Sequence, residues 1–445
     1  MKKIAVRTKS MVQLEGKPDT RVNRVTPSPV ITLSPSRIGF IKPKLQVKEG
    51  DTVLLGSKLF YDKKNEYAQY VSPAGGVIQS IQYGERRSIQ NISIKRDKKE
   101  ASDSFKRYKE ADLAGLTYDE LVAVISQSGL WPCIKSLPFR AIANPQAKPK
   151  SIIIAIGDNE PFLPDVSVVL KNRDHYFRHG LLALKQLCKT CHVVTHEDDA
   201  FSRHMFSDII TATVSGEYPA LDPAVILYHY RQTPEDNNAW YLNYQDVIRL
   251  GELLLVGAYP ADHIISVGGS LVDKPQHYKV RQGTSLKHIV PKLPEGVYLA
   301  GGVYTGHSIH SESAINYGDY AVHVLPEKRE REMFHFFKPG LDKASYFRTF
   351  LSAILPQKPV ALSTSLNGGY RACISCGECP NVCPVGLLPQ FIAKALHYND
   401  TETAVKLGLL DCAECGLCST ICPSKIELVD MFKQAKKRVY EESKA

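Results

Sequence analysis

The chain lacks any apolar run approaching the roughly 20 residues that a membrane-spanning helix needs, so no transmembrane segment of its own is expected. No apolar stretch follows the charged start Met1-Lys2-Lys3, which argues against a secretory leader. No tract of low complexity interrupts the sequence. A G-x-G-x-x-G turn and a G-x-x-x-x-G-K-[ST] loop are both missing, so neither a dinucleotide fingerprint nor a P-loop is expected. Cysteine is scarce over most of the length: Cys133, Cys188 and Cys191 are the only three before residue 373.

What is present is an ordinary globular composition, 43% apolar and 23% charged over 445 residues, long enough for two to four domains. The formal charge of +10 is spread along the chain. Its one modest cluster, Lys433, Lys436, Lys437 and Arg438, reads as solvated surface or a partner contact, with no nucleic acid implied. The residues place the chain in the cytoplasm unless a partner holds it at a membrane.

The remaining eight cysteines crowd into fifty residues, and in a chain without a leader that pattern reads as metal ligation rather than disulfides. The first run is Cys373-Ile374-Ser375-Cys376-Gly377-Glu378-Cys379-Pro380-Asn381-Val382-Cys383-Pro384. The second is Cys412-Ala413-Glu414-Cys415-Gly416-Leu417-Cys418-Ser419-Thr420-Ile421-Cys422-Pro423. Both follow C-x2-C-x2-C-x3-C-P, the bacterial ferredoxin spacing. Three thiolates of one loop reach three corners of a cubane, and the fourth, expected to start the next helix, ligates the other cluster. Cys373, Cys376, Cys379 and Cys422 are thus expected on one [4Fe–4S] cluster, and Cys412, Cys415, Cys418 and Cys383 on the second. Zinc also favours four thiolates, but zinc ribbons use two C-x2-C pairs rather than two runs of four. Gly377 and Gly416 stand where each loop must turn tightly.

Between the runs, Leu388, Phe391, Ile392, Ala395 and Leu396 recur at helical spacing, and Ala404, Val405 and Leu409 suggest a second short helix. Asn399 and Asp400 break the pattern between them. A last helix carries Leu428, Val429, Phe432, Ala435 and Val439 on one side. The tail reads as a helical dicluster ferredoxin domain, suited to passing single electrons.

From Val47 the pattern V-x-E-G-D-x-V-x-x-G-x-x-L, then a hairpin and Ser72-Pro73-Ala74-Gly75-Gly76-Val77, resembles a biotinyl/lipoyl-like barrel-sandwich fold. Val53, Leu59, Val77 and Ile81 are its expected core. The hairpin tip, where a carrier domain holds its modified lysine, falls near Asn65 beside Lys63 and Lys64, without Met-Lys-Met. Residues 110–255 read as an α/β Rossmann-like domain: Ser151–Ile156 is a buried-strand run, His179–Leu187 a helix, and Val193-Val194 and Ile226-Leu227 further strands. Cys188-Lys189-Thr190-Cys191-His192 matches the haem-attachment spacing but falls where a helix runs into a strand, and is read as chance. Cys133 is read as a packed thiol. From Asp262, a strand, the Gly268-Gly269 turn, a hairpin, V-x-x-G-x-x-L and a short helix resemble an SLBB β-grasp domain.

The expected order is a barrel-sandwich domain (1–100), the α/β domain (110–255), the β-grasp domain (256–305), a connecting region (306–370) and the ferredoxin domain (371–445). With Gly129-Leu130-Trp131, Pro138-Phe139-Arg140, Trp240-Tyr241-Leu242-Asn243-Tyr244-Gln245-Asp246-Val247 and Leu366-Asn367-Gly368-Gly369, it resembles the A subunit of the Na+-translocating NADH:quinone reductase (Nqr). The cysteine tail departs from that family pattern, being similar to the C subunit of the related Rnf complex. The resemblance implies a peripheral subunit on the cytoplasmic side of the bacterial inner membrane, bound to other subunits of the complex and implicated in quinone binding. NADH and quinone are then substrates of the whole complex. The Rnf relative also implies an alternative, a dehydrogenase subunit that binds FMN and NADH through a Gly-rich loop. At that place this chain has Ser126-Gln127-Ser128-Gly129-Leu130-Trp131-Pro132-Cys133, with one glycine, so FMN is not expected here. Gly157-Asp158-Asn159-Glu160-Pro161-Phe162 resembles the acidic half of the same site. The other alternative is a docking or assembly subunit whose clusters only stabilise its tail. The quinone-contacting residues are not assigned; Trp240, Tyr241 and Tyr244 read as core.

Overall fold

The computed structural model describes residues 1–7, 13–157, 160–233, 236–327, 337, 359–364 and 369–444. Asp158, Asn159 and residues 366–368 of the motifs above lie outside the described residues, as does most of the expected connecting region.

Alternation of apolar and polar residues builds the N-terminal sandwich. Its four-stranded sheet contains Val30–Leu33, Ile89–Arg96, Gly76–Tyr83 and Thr52–Val53 in that order, and its three-stranded sheet Pro43–Leu45, Lys58–Asp62 and Asn65–Val71. Ile31 and Ile78 both pair with Ile94 across neighbouring strands, and Phe60 stacks on Tyr70 at 4.5 Å between centroids. Val53, Leu59 and Ile81 are buried as expected, but Val77 is exposed. The two-residue period of the strand turns Ile78 inward in its place. Lys63 and Lys64 form the hairpin turn, and Asn65 opens the next strand with its side-chain amide donating to the Ala143 carbonyl.

The second unit is a seven-stranded sheet. Lys2–Ala5, Ala212–Ser215, Cys191–His196, Ile152–Ile156 and Trp240–Asn243 run parallel, and Lys135–Ser136 and Ala141–Ile142 add an antiparallel edge. Ile152, Ile153 and Ile154 are all fully buried, as a strand covered on both faces requires. The helix expected from His179 begins earlier, spanning Asp174–Leu187. Ile226 and Leu227, expected in a strand, lie in the helix Pro223–Tyr230. Asp222 caps it by accepting from the Ala224 amide, and Pro223 sits at its first turn, where a missing N–H is harmless. Trp240 and Tyr244 are core, as read.

A six-stranded sheet follows, with Asp262–Gly268 and Gln276–Arg281 at its centre and the short helix Leu286–Ile289 beside it. It runs past residue 305, taking in His307–Ile309 and Ala321–Leu325, and gains Asp19–Arg24 at one edge. The first 24 residues therefore serve two later sheets, because Lys2–Ala5 and Asp19–Arg24 each complete a parallel edge far along the chain.

The tail is helical: Pro389–His397, Thr401–Lys406 and Leu428–Glu442 pack around Ile392, Leu396, Ala404, Leu409, Phe432 and Ala435. Leu388 and Phe391, expected on the buried side, are exposed. Asp400 caps the second helix after Asn399 turns the chain at positive φ, so these two do break the pattern. Among the described residues, no helix is long and apolar enough to cross a membrane.

Candidate iron–sulfur centre

The two cysteine runs fold alike, down to single hydrogen bonds. Ser375 and Glu414, each just before the second cysteine, have φ of 53° and 54°. Their amides donate to the first sulfur of their loop, Cys373 Sγ and Cys412 Sγ, both at 3.4 Å. Gly377 (φ 75°) and Gly416 (φ 79°) then start the short helices Glu378–Asn381 and Leu417–Ile421. The Cys383 amide donates to the Pro380 carbonyl and the Cys422 amide to the Ser419 carbonyl. The fourth cysteine of each run thus closes a short helix instead of starting the next. The proline after it cannot donate a helical hydrogen bond, and the chain turns at Gly386 or Lys425, again at positive φ.

Burial pushes the Cys415 and Cys418 thiols up, with Cys412 and Cys383 among the neighbouring groups that act in the same sense. Cys412 is pushed up to about 11 by burial, and Cys383 is among its neighbours too. Cys379 rises to about 11 by burial, with Cys376 and Cys373 beside it. Cys383 thus stands near Cys412, Cys415 and Cys418, and Cys373 and Cys376 near Cys379, while Cys379 is also near Cys418. Cys422 is tied toward Cys373 through Ser424. The Ser424 carbonyl accepts from the Arg371 amide, and its hydroxyl donates to the Ala372 carbonyl, both at 2.9 Å.

Among the described residues, no three Cys, His, Asp or Glu side chains converge on one point as a single ion demands. Ligands of a cubane each bind a different iron and stand further apart. Eight soft donors, amides directed at sulfur, and loops turned by positive φ form a donor set that fits iron–sulfur clusters. Uncompensated, such buried thiols resist ionisation, and a cationic metal core offsets that resistance.

The two halves differ in their surroundings. Cys373 and Cys376 are exposed. Cys415 and Cys418 are buried, and the loop Cys412–Cys418 is seated on the α/β unit. The Arg140 guanidinium donates to the Ala413 carbonyl and to Asp222, each at 2.7 Å. The Tyr218 hydroxyl donates to the Cys415 carbonyl at 2.7 Å, and its ring stacks on Tyr304 at 5.0 Å. Arg231 makes a two-pronged pair with Asp411, and Val385 and Ala413 share a core with Leu137 and Leu227. Lys436, expected on a solvated surface or at a partner contact, is instead buried within the chain: its ammonium donates to the Cys412 carbonyl and pairs with Glu414. The sequence marked Arg140, the Cys412 run and Lys436 separately, but nothing in it marked their contacts with one another or with Asp222, Tyr218 and Arg231. The partners are too distant along the chain for local spacing to signal.

A cavity of about 1090 Å³ opens at the carboxyl ends of the parallel strands, lined by Gly157, Phe162, His196, Phe201, Tyr218 and Leu221 among others. Ligands of open parallel sheets bind at such strand ends. Glu160 faces it but is held: its carboxylate accepts from the Tyr304 and Thr305 amides and the Thr305 hydroxyl. Burial raises its pKa. Where a Gly-rich loop would cradle phosphates, Trp131 is fully buried, with Trp240 edge-on at 5.6 Å and its indole N–H donating to Ala143. Cys188 and Cys191 lie at a helix-to-strand junction, and His192 stacks on Tyr230 at 3.9 Å.

Three family descriptions match the chain: the NqrA N-terminal barrel-sandwich hybrid domain over residues 4–97, the NqrA second alpha/beta domain over 116–259, and a 4Fe-4S dicluster domain over 372–426. The A subunit of the Na(+)-translocating NADH-quinone reductase of Cellvibrio japonicus is 33% identical over 383 residues, 84% of this chain and 86% of that protein. The Pseudomonas aeruginosa protein of the same name is 32% identical over 407 residues, 89% of this chain and 90% of its own length. A crystal structure of an NAD+-reducing [NiFe]-hydrogenase aligns with 51% of this chain and 52% of its own at 12% identity and a TM-score of 0.35, too low to carry an argument. With its two NqrA domains and relatives at this identity along most of its length, the chain belongs to the NqrA family, the A subunits of Na+-translocating NADH-quinone reductases, and it carries a 4Fe-4S dicluster domain at its C-terminal end.

Proposed function

We propose that this chain is a peripheral electron-transfer subunit of a Na+-translocating NADH:quinone reductase, relaying electrons through two [4Fe–4S] clusters. Cys373, Cys376, Cys379 and Cys422 would hold one, and Cys412, Cys415, Cys418 and Cys383 the other. When bound, such clusters supply one-electron carriers. The chain's own residues fix the two loops, direct amides at sulfur and bury one half against the α/β unit. The observation that carries this reading is the duplicated loop geometry, including the matched N–H···S bonds at Ser375 and Glu414.

The expected domain order belongs to this proposal, with a Rossmann-like reading of the parallel sheet and an SLBB β-grasp reading of the third sheet, which extends to Leu325 and takes in Asp19–Arg24. The strand-end cavity suits a quinone headgroup: it has the size of small-molecule sites and offers Phe162, Phe201 and Leu221 as apolar walls. FMN is disfavoured because the turn Ser126–Cys133 has one glycine where phosphates would need several stretches of bare backbone. Partner subunits would hold the chain at the cytoplasmic face of the inner membrane.

The test is freeze-quench EPR on the whole complex containing this chain, after mixing with NADH and with flavin assayed on the isolated chain. The reading expects both clusters to be reduced on the timescale of quinone reduction, and no flavin on the chain. Clusters that dithionite reduces but NADH never does would leave a docking subunit with structural metal. Flavin on the chain would indicate an NADH-oxidising subunit of the Rnf kind.

A further inference from the structure

We propose that Arg140, Lys436 and Glu414 set the reduction potential of the centre assigned to Cys383, Cys412, Cys415 and Cys418, and so separate it from its twin. The inference rests on the two-cluster reading above. Besides the Arg231–Asp411 pair, a linked group of four charged side chains meets this loop. Arg140 donates to the Ala413 carbonyl and to Asp222, and Lys436 donates to the Cys412 carbonyl at 3.1 Å and pairs with Glu414 at 2.5 Å. The Arg140 Nε is buried without a hydrogen bond and points to Glu414 at 4.0 Å. The side chains are 22% (Arg140), 8% (Asp222), 12% (Glu414) and 3% (Lys436) exposed, so solvent screens them little.

The two cations and two anions of this buried group balance one another, and Lys433 adds the same further cation on the Glu414 side in the parent and every variant. Removing any one leaves a single uncompensated charge, of known sign, beside the cysteine loop. Reduction adds negative charge to a cluster. A lost cation must therefore make that centre harder to reduce, and a lost anion must make it easier. The other loop has the same backbone but not this group. Its counterparts of Ala413 and Glu414 are Ile374, 66% exposed, and Ser375, which carries no charge. The duplicated fold thus supplies an internal control. Arg140 is a positioning residue in this scheme, acting through the loop carbonyl.

The experiment is an EPR-monitored redox titration of the full chain, purified without oxygen, for the parent and the variants Arg140→Met, Arg140→Lys, Lys436→Met and Glu414→Gln. Arg140→Met and Lys436→Met should lower the potential of one couple, by about 59 mV for each tenfold fall in its reduced-to-oxidised ratio. At least one such tenfold step is expected. Glu414→Gln should move the same couple upward, Arg140→Lys should stay near the parent, and the second couple should move less in every case. General loosening of the loop would shift Arg140→Met and Glu414→Gln in the same direction. That result, or unmoved potentials with iron retained, overturns the inference and leaves the two-cluster reading standing. A single couple with about eight irons per chain overturns the separation alone, and a parent chain with about four irons or none overturns both.

Discussion

Gly251→Ala sets two known effects against each other. Gly251 and Gly180 face one another where the helix Tyr244–Val256 crosses Asp174–Leu187. A Cβ on Gly251 would overlap the Tyr176 carbonyl oxygen and stand 2.7 Å from the Gly180 nitrogen; one on Gly180 would overlap the Val247 carbonyl. These obstacles are backbone atoms and cannot rotate away, so the helices must separate until contacts return to about 3.5 Å. Alanine improves helix propensity by about 1 kcal/mol. Overpacking costs about 1–3 kcal/mol, and rigid backbone on both sides places this site at the upper end. The separation also loosens Leu181, Leu184, Val247 and Leu254, all buried. Net destabilisation of about 2 kcal/mol is expected, so the urea midpoint by circular dichroism should fall by about 1 M for a slope near 2 kcal/mol/M. Gly115→Ala is the control, because its Cβ would meet only the Asp112 carbonyl oxygen at 3.6 Å. A midpoint that rises for Gly251→Ala as it does for Gly115→Ala would refute the close crossing.

Burial holds the His323 imidazole down to about 4, against an ordinary 6.5. The unfolded chain therefore binds a proton below 6.5 that the native chain refuses. Stability should fall as pH drops from 6.5 toward 4, by up to about 1.4 kcal/mol per pH unit from this group. His323→Leu should make denaturation midpoints plotted against pH less steep over that window, and an unchanged slope would contradict the assignment. His263, held down to about 3 by burial, and His179, His192, His229 and His307, also lowered by burial, would supply the slope that remains. Trp131→Ala should cost about 3–5 kcal/mol by opening a void against Trp240, read as a lower thermal midpoint, and should not create flavin binding. Cys376→Ala should reduce bound iron from about eight to about four per chain, since each cluster holds four irons. Loss of all iron would show that the two sites do not load independently.

The ferredoxin tail was legible because its ligands follow one another within twelve residues, and short spacing is a local signal. The buried strand Ile152–Ile156 announced itself through three consecutive isoleucines. Ile226 and Leu227 misled because a short apolar run has no period of its own. The Asp222-Pro223 start, a cap followed by a first-turn proline, was the better guide to a helix. Lys2–Ala5 gave no hint that it pairs with Ala212–Ser215, since parallel edges are completed by tertiary contact alone. Arg140, Asp222 and Glu414 are likewise far apart in sequence, and Lys436 looked like one of four surface cations until the last helix was packed against the Cys412 loop. Chemistry carried by neighbours in sequence could be read early; charges brought together by folding could not.

The most direct test of the account is metal analysis with EPR on the full chain, purified without oxygen and reduced with dithionite. About eight irons per chain, with two interacting S = ½ signals, is the predicted result. Zinc, or no metal after careful reconstitution with iron and sulfide, would contradict it.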